Sequence, residues 1–109
     1  MYIWRGGILM KLNLSYIAGF FEGEGNAGFY SNGNGSKTRF TIELHQKNPD
    51  ILYKIRDYFN CGVVYKLPKR SYYRWRVTHS KGMDILKQIY PHLQCRKKEF
   101  YKIVKYGRE

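Results

Sequence analysis

The sequence predicts an α+β domain in which helices cover one face of an antiparallel sheet. Three observations lead to this fold class. Apolar residues recur at helical spacing in some segments, they alternate with polar residues in others, and the segments follow the order α-β-β-α-β-β-α-α. At 109 residues the chain is long enough for one domain with its own core.

The first helix and the first hairpin are predicted from a change of period. Apolar residues have helical spacing over residues 13 to 24, and they alternate with polar residues at 27 to 30 and 38 to 46. The turn at residues 31 to 36 reads SNGNGS, and Asn and Gly tolerate positive φ. The residues expected to bound the helix are Asn13 or Ser15 as its cap and Gly25 at its end.

The second helix and the second hairpin repeat this arrangement. Asn48 followed by Pro49 starts an amphipathic helix that extends to about residue 61. A strand over residues 63 to 67, a PKRS turn and a strand over residues 72 to 79 come next. Arg alternates with Tyr, Trp and Val in the last of these strands, so its polar face is basic.

Two further helices complete the chain. Residues 82 to 90 have helical spacing, Pro91 interrupts them, and the last helix extends from about residue 96 to 106. Since alternate side chains of a strand point to opposite faces, the helices can cover one face while basic residues project from the other. The expected basic face carries Lys37, Arg39, Lys66, Arg74 and Arg76.

The charge of the chain indicates a polyanionic partner. Lys and Arg outnumber Asp and Glu by 20 to 8, and the formal net charge is +12. Nucleic acid is favoured over a membrane because no apolar run approaches the ~20 residues of a membrane span. A small-molecule substrate is not expected, since the sequence has neither a nucleotide-binding loop nor a Ser/His/Asp arrangement.

Residues 1 to 10 are expected to be a disordered extension ahead of a single domain over residues 11 to 109. Their apolar stretch is too short for a secretory signal. Cys61 and Cys95 are the only cysteines. They favour two buried free thiols in a reducing, intracellular compartment, either an organelle or a prokaryotic cytoplasm, over a disulfide framework.

One stripe of the first helix has almost no side chains. Gly19 and Gly23 fall four residues apart with Ala18 beside them, and each interior glycine costs a helix about 1 kcal/mol relative to alanine. The stripe therefore indicates that a second backbone approaches closely. That backbone belongs either to this domain's own sheet or to the same helix of a second subunit.

Two carboxylates lie near the end of this helix in a chain that has few acids. Glu24 is at the helix C-terminus, where the backbone dipole disfavours a negative charge unless a cation neutralises it. If two copies of the helix cross and end on a DNA-binding surface, their Glu24 carboxylates meet beside the phosphates. Oxygen ligands of this kind are those that Mg²⁺ prefers, so the acids are interpreted as metal ligands.

The stretch IAGFFEGEG, residues 17 to 25, resembles the motif of the LAGLIDADG homing endonucleases in its small residues, its two acids and its final glycine. The predicted elements also resemble the family's αββαββα core. The resemblance implies a saddle-shaped sheet on DNA, motif helices at a two-fold interface, Glu24 as metal ligand and Glu22 as a support of the helix end. The interface residues that it implies are Ala18, Gly19, Phe20, Glu22 and Gly23.

A single motif implies half of an enzyme, because family members with one motif act as homodimers. The resemblance thus implies a double-strand break in a long, near-palindromic site of double-stranded DNA. Mg²⁺, or Mn²⁺ or Ca²⁺ in the same site, would be bound by Glu24 and Gly23. Gln46 resembles a residue that orders water near the metals, and Arg96 or Lys97 resembles a basic residue near the cleaved phosphate.

Side chains on the strands and turns are expected to contact the DNA in its major groove, where Arg on guanine is the commonest specific pairing. The residues expected to bind DNA are Asn32, Asn34, Lys37, Arg39, Thr41, Lys66, Arg70, Tyr72, Arg74, Arg76 and Lys98.

Two other functions fit part of the pattern. An RNA maturase or a DNA-binding regulator of LAGLIDADG type would keep the fold without cleavage, and affinity for intron RNA would favour it. An RNA-binding sheet with Tyr and Trp as stacking platforms would be a monomer that prefers single strands.

Overall fold

A four-stranded antiparallel sheet carries the helices of the protein in a computed structural model, which describes residues 1 to 31 and 38 to 107. The predicted α+β class and the predicted order of elements are confirmed. No helix in these two ranges is long and apolar enough to cross a membrane.

Every predicted helix and strand is present, with ends that differ from the expected ones by three residues at most. The helices are α1 (Leu14–Glu24), α2 (Asp50–Phe59), α3 (His79–Ile89) and α4 (Lys97–Tyr106), with a 3-10 turn at Tyr90–His92. The strands are β1 (Tyr2–Arg5), β2 (Ile8–Lys11), β3 (Gly25–Tyr30), β4 (Arg39–Gln46), β5 (Val63–Lys66) and β6 (Tyr73–Thr78). The expected tip of the first hairpin falls mostly outside the described residues.

The sheet has the strand order β3-β4-β6-β5. Its register places Leu44 of β4 opposite Gly25 on one side and opposite Trp75 on the other. Cross-strand partners share a face of the sheet, so the register defines an inner face and an outer face. The inner face carries the buried side chains Ala27, Phe40, Ile42, Leu44, Trp75 and Val77.

The core lies between the inner face and the helices. Trp75 is 1% exposed, its ring stacks on Phe59 of α2 with 6.0 Å between centroids, and its indole N–H donates to the Cys61 carbonyl oxygen at 3.0 Å. Burial of each large apolar side chain contributes roughly 1.5–3 kcal/mol. The helical residues buried in this core are Ile17, Ala18, Phe21, Leu52, Ile55, Ile85, Leu86, Ile89, Phe100 and Ile103.

Local sequence explains both ends of α1. The Asn13 side-chain oxygen accepts a hydrogen bond from the Tyr16 amide at 2.9 Å, so Asn13 is the cap. Gly25 ends the helix and begins β3 at once. A Cβ atom at Gly25 would lie 2.7 Å from the Leu44 and Phe21 side chains, so the helix end can approach β4 this closely only with glycine.

The amino-terminal segment is an ordered hairpin, which differs from the expected disordered extension. Gly6 and Gly7 have φ of +56° and +81° and form the two-residue turn between β1 and β2. Ile3 is 3% exposed in the core, and the Leu12 amide donates to the Met1 carbonyl oxygen at 2.8 Å. The buried Ile3 anchors the hairpin, whereas most of its other large side chains are exposed.

Both cysteines are free thiols, as expected, but only one of them is even partly buried. Cys61 is half-buried, and this burial raises the pKa of its thiol. Cys95 is exposed, which contradicts the expected burial, and the neighbouring Glu22 carboxylate raises its pKa by hydrogen bonding.

Candidate active site

The carboxyl end of α1 places Glu24 beside a recess of about 300 Å³. Its other walls come from β4 and from the turn between β5 and β6: His45, Leu67, Arg70 and Tyr72. Glu24 is exposed and makes no hydrogen bond or ion pair with any residue that the structure describes. Its carboxylate is therefore available to a group from outside the chain.

The oxygen donors around Glu24 suit part of a divalent-metal site. Gly23 and Glu24 are both exposed, and their carbonyl groups belong to the last turn of α1, where the helix dipole attracts cations. A carboxylate with such carbonyl oxygens is a hard, oxygen-only ligand set. Within residues 1–31 and 38–107, no three His, Cys, Asp or Glu side chains come together, so the remaining ligands would come from elsewhere.

Glu22 has a different environment from Glu24. Its carboxylate accepts hydrogen bonds from the Gln94 amide and from the Cys95 amide, the latter at 2.8 Å. These bonds, the Gln94 bond first, lower the pKa of Glu22. Glu22 thereby ties α1 to the segment that leads into α4, which fits the structural role that the resemblance implies.

Of the two basic candidates, Arg96 is the one that lies against the end of α1. One of its terminal nitrogens, Nη1, donates to the carbonyl oxygens of Gly25 at 2.7 Å and Phe21 at 3.2 Å. Lys97 points elsewhere, with its Nζ 5.9 Å from the centre of the Tyr90 ring. Arg96 is therefore the one of the two that contacts the end of α1, and which of them lies near the cleaved phosphate stays a prediction.

The hydrogen-bonding capacity of the Arg96 guanidinium is used within the chain. Beside the two carbonyl contacts, Nε and Nη2 donate to the Glu99 carboxylate at 2.9 and 2.6 Å, and Nη2 is 3.5 Å from the Asn26 side-chain oxygen. The Glu99 hydrogen bond raises the pKa of Arg96, and Arg96 lowers that of Glu99. Arg96 clamps α1 to α4, and its catalytic role stays a prediction.

Gln46 follows His45 at the end of β4, and it lines a different recess from the one beside Glu24. It pairs with Tyr73 in register, on the same side of β4 as the buried Leu44, and lines a groove of about 350 Å³ with Tyr16 and the β1–β2 hairpin. Its side-chain oxygen accepts from the Lys47 amide at 2.8 Å. Its water-ordering role stays a prediction.

The outer face of the sheet has the basic character expected from the sequence. Arg74 donates to His45 Nε2 at 2.9 Å and to the Tyr65 hydroxyl at 3.2 Å. Arg74 and Arg76 each have a nitrogen 3.5 Å from a Glu43 carboxylate oxygen. These side chains form a packed polar layer on the face opposite to the core.

Two of the expected DNA-binding residues are corrected by the strand geometry. Thr41 is 3% exposed, because it lies in the central strand between Gly28 and Thr78 and its neighbours cover its short side chain. Lys66 pairs with Tyr73, which places it on the inner side of the edge strand β5 and not on the outer face.

The other expected DNA-binding residues fall into four groups. Arg39, Arg74 and Arg76 lie on the outer face, while Arg70 and Tyr72 line the Glu24 recess. Lys98 is exposed in the first turn of α4. Asn32, Asn34 and Lys37 lie outside the described residues.

The glycine stripe of α1 is open. Gly19 and Gly23 are exposed, and a Cβ atom at either position would meet nothing within 4 Å. The stripe therefore does not face the chain's own sheet, which was one of the two expected explanations. Ala18 belongs to the core with no exposed surface, so its expected place in a subunit interface is wrong, whereas the half-buried Phe20 borders the stripe.

Several residues near the site were not singled out from the sequence: Asn26, Glu43, His45 and Tyr65. The alternation in β4 already placed Glu43 and His45 on the polar face. Their proximity to arginines depends on the register between β4 and β6, which hydrophobic alternation does not fix.

Known proteins resemble this chain in sequence and in fold. The sequence profile of the LAGLIDADG endonuclease family matches residues 17 to 107. The chain therefore belongs to the LAGLIDADG endonuclease family, and the expected family membership is confirmed.

The name of one similar protein is consistent with this family. Probable intron-encoded endonuclease 2 of Neurospora crassa is 31% identical over 100 residues, which cover 84% of this chain and 21% of that protein. This chain thus spans about a fifth of that relative.

Solved structures share the fold. The homing endonuclease I-CvuI in complex with the I-CreI target has a TM-score of 0.70 and 21% identity, with 84% of this chain and 63% of that chain covered. The archaeal intron-encoded homing endonuclease I-Vdi141I complexed with DNA has a TM-score of 0.69 and 20% identity, with 81% of this chain and 62% of that chain covered. The homing endonuclease I-TnaI has a TM-score of 0.63 and 25% identity, with 88% of this chain and 71% of that chain covered.

Proposed function

We propose that the protein is a DNA endonuclease that acts as a homodimer and uses a divalent metal ion to make a double-strand break in a long, near-palindromic site. One observation carries this proposal: Glu24, without a partner among the described residues, lies at the end of the open stripe formed by Gly19 and Gly23. A carboxylate and a helix surface that both lack partners among the described residues would be explained together by a second copy and a cation.

The stripe supports the dimer. An interior glycine destabilises a helix by about 1 kcal/mol relative to alanine, and nothing within the described part of the chain occupies the space at Gly19 or Gly23. A second α1 crossing at this stripe would allow close backbone contact. The two Glu24 carboxylates would then lie on either side of the two-fold axis.

The metal site is proposed to combine Glu24 and the Gly23 carbonyl oxygen of each protomer with phosphate oxygens of the DNA. A divalent ion held there would supply positive charge to stabilise the oxygens that carry negative charge during phosphodiester cleavage. The relative I-CvuI was crystallised with the I-CreI target in the presence of 2 mM Mg, with the DNA not cleaved, and with its own target in the presence of 2 mM Ca. Mg²⁺ is the proposed ion, and Mn²⁺ or Ca²⁺ would occupy the same position.

Arg96 is proposed to position the end of α1. Its bonds to the Phe21 and Gly25 carbonyl oxygens fix the backbone on either side of Glu24, and its positive charge lies beside the site. Lys97 and Lys98 are exposed in the first turn of α4 and are free to approach phosphates. Arg96 keeps its proton throughout, so its contribution is electrostatic and not that of a general base.

The outer face is proposed to lie on the major groove. Arg74 and Arg76 project from it, Arg74 contacts His45 of the Glu24 recess, and Arg70 and Tyr72 lie at the recess itself. The net charge of +12 supports binding to the DNA backbone. An intracellular location is part of the proposal, supported by two free thiols and by the intron-encoded relative.

Cleavage selection from a randomised duplex library with Mg²⁺ tests the proposal. We expect the wild type to cut one long, near-palindromic site and EDTA to prevent cutting. Glu24→Gln removes the charge with little change of shape, so we expect duplex binding to persist and cleavage to fall below detection. Asp84→Asn on α3 is the matched control and should cut like the wild type.

Cleavage by Glu24→Gln at the wild-type rate would refute the assigned role of Glu24. A wild type that binds intron RNA more tightly than duplex DNA and cuts neither would favour the maturase function instead.

A further inference from the structure

Glu43 is an acidic side chain in the middle of the basic outer face. It lies directly opposite Arg76 in the register of β4 and β6, and Arg74 is the next outward-facing residue of β6. Its side chain is only 12% exposed, against 23% for Arg74 and 41% for Arg76. The carboxylate therefore lies beneath the two guanidinium groups that cover it.

The contacts of Glu43 constrain both arginines. A single oxygen, Oε2, is 3.5 Å from Arg74 Nε and 3.5 Å from Arg76 Nη2. Arg74 is also held by His45 and by the Tyr65 hydroxyl, so its planar group has a fixed orientation. One carboxylate thus links two neighbouring cations of the proposed DNA-contacting face.

The conformation of Arg76 buries a donor without a partner, and the attraction to Glu43 compensates for this. Arg76 Nε is buried and has no hydrogen-bond partner among the residues that the structure describes. An unsatisfied buried donor destabilises the conformation that buries it. Without the attraction to Glu43, Arg76 would gain by extending its guanidinium into solvent.

A fixed arginine and an extended arginine bind DNA differently. Bidentate recognition of a base edge requires both donors of the guanidinium in one plane and one place. A mobile arginine reaches the phosphates instead, and phosphate contacts carry no sequence information. A carboxylate under the arginines also repels nearby phosphates.

We infer that Glu43 is a positioning residue for sequence discrimination: it holds Arg74 and Arg76 toward base edges and limits their contact with phosphates. This inference rests on the proposed function, since it requires that the outer face binds duplex DNA. The ligand chemistry that it specifies is the edge of a base pair with two acceptors, such as guanine.

The test compares the wild type with Glu43→Gln on two probes, the duplex selected by cleavage and a pool of random-sequence duplexes. For the variant we expect tighter binding to the random pool. The plot of log K against log salt should become steeper by about 0.9 for each arginine released to a phosphate. The ratio of selected-site affinity to random-pool affinity should fall.

Two further variants separate local from general effects. Asp57→Asn also raises the net charge by one, but it lies exposed on α2 beside Arg56, so we expect the slope and the affinity ratio to stay close to wild type. Glu43→Asp keeps the charge and should recover most of the wild-type ratio.

The inference is overturned if Glu43→Gln changes only the melting temperature and leaves the slope and the affinity ratio as they are. It is also overturned if the variant binds the selected site more weakly with an unchanged slope for random DNA, because Glu43 would then read a base itself. A wild type that does not discriminate between the two probes would instead refute the proposed function.

Discussion

The two sides of α1 differ in what the rest of the chain explains. On the inner side Ala18 and Phe21 are buried in the core, and Gly25 is needed for the approach of β4. On the outer side Gly19 and Gly23 leave open space, and their side of the helix ends at a carboxylate without a partner among the described residues. One short motif therefore contains residues that pack in the core and residues whose role the described part of the chain does not explain.

The two acids of the motif, Glu22 and Glu24, also differ in whether the described chain provides them with partners. Glu22 accepts two backbone hydrogen bonds from the segment before α4, and these bonds stabilise the fold. Glu24 lies two residues further on and makes no such bond to the residues that the structure describes. The chemistry of a carboxylate is the same in both cases, so the environment alone separates a structural acid from a proposed metal ligand.

Gly25→Ala should have the largest effect on folding. The added methyl group would lie 2.7 Å from the Leu44 and Phe21 side chains, and such overpacking costs about 1–3 kcal/mol. We expect the melting temperature to fall by roughly 4–8 °C per kcal/mol. Thermal unfolding followed by circular dichroism at a single protein concentration measures it.

An alanine at Gly25 with the wild-type melting temperature would contradict the close packing of α1 on β4. Leu67→Ala serves as a comparison at another buried site, where the loss comes from a cavity and not from crowding.

Glu22→Gln should have a smaller effect that depends on pH. Because the hydrogen bonds lower the folded-state pKa of Glu22 below its ordinary value of 4.5, its stabilisation is complete above about that pH. It is lost as the pH falls through the folded-state pKa. We expect the wild type to melt at a higher temperature than the variant at pH 7 and the difference to shrink below pH ~4.5.

Melting curves of both proteins between pH 7 and pH 3 measure this effect. A difference that stays constant over the whole range would mean that the Glu22 charge does not stabilise the fold. The exposed Asp84→Asn variant controls for the general effect of removing a carboxylate.

The sequence predicts the inner side of the molecule better than the outer side. Alternation in β4 and β6 identifies Phe40, Ile42, Leu44, Trp75 and Val77 as one face, and all five are buried. Burial of apolar side chains is the main driving force of folding. It requires apolar residues to recur at a regular spacing along each strand or helix, and this spacing is visible in the sequence. The helix cap at Asn13 is equally local and was predicted as one of two choices.

Residues whose place depends on register or on distant contacts were harder to predict. Lys66 and Thr41 were expected on the DNA-contacting face, but the pairing of β5 and the central position of β4 place them elsewhere. The clamp by Arg96 joins residues about seventy positions apart. No local period encodes such contacts.

The amino-terminal hairpin was missed although it has a local signal. Gly6 and Gly7 separate two short apolar runs, and a Gly-Gly pair in this position is typical of a two-residue hairpin turn. The apolar strands lack the alternation with polar residues that identifies the other strands. The buried Ile3 shows why the segment is nevertheless ordered.

Sedimentation equilibrium of the wild type and of Gly19→Ala over a range of concentrations shows whether two copies pack at the open stripe of α1. We expect the wild type to reach twice its mass of 13.0 kDa. We expect Gly19→Ala to stay closer to 13.0 kDa, although alanine stabilises the isolated helix by about 1 kcal/mol. A wild type that remains at 13.0 kDa at every concentration and still makes double-strand breaks would contradict this packing of two copies.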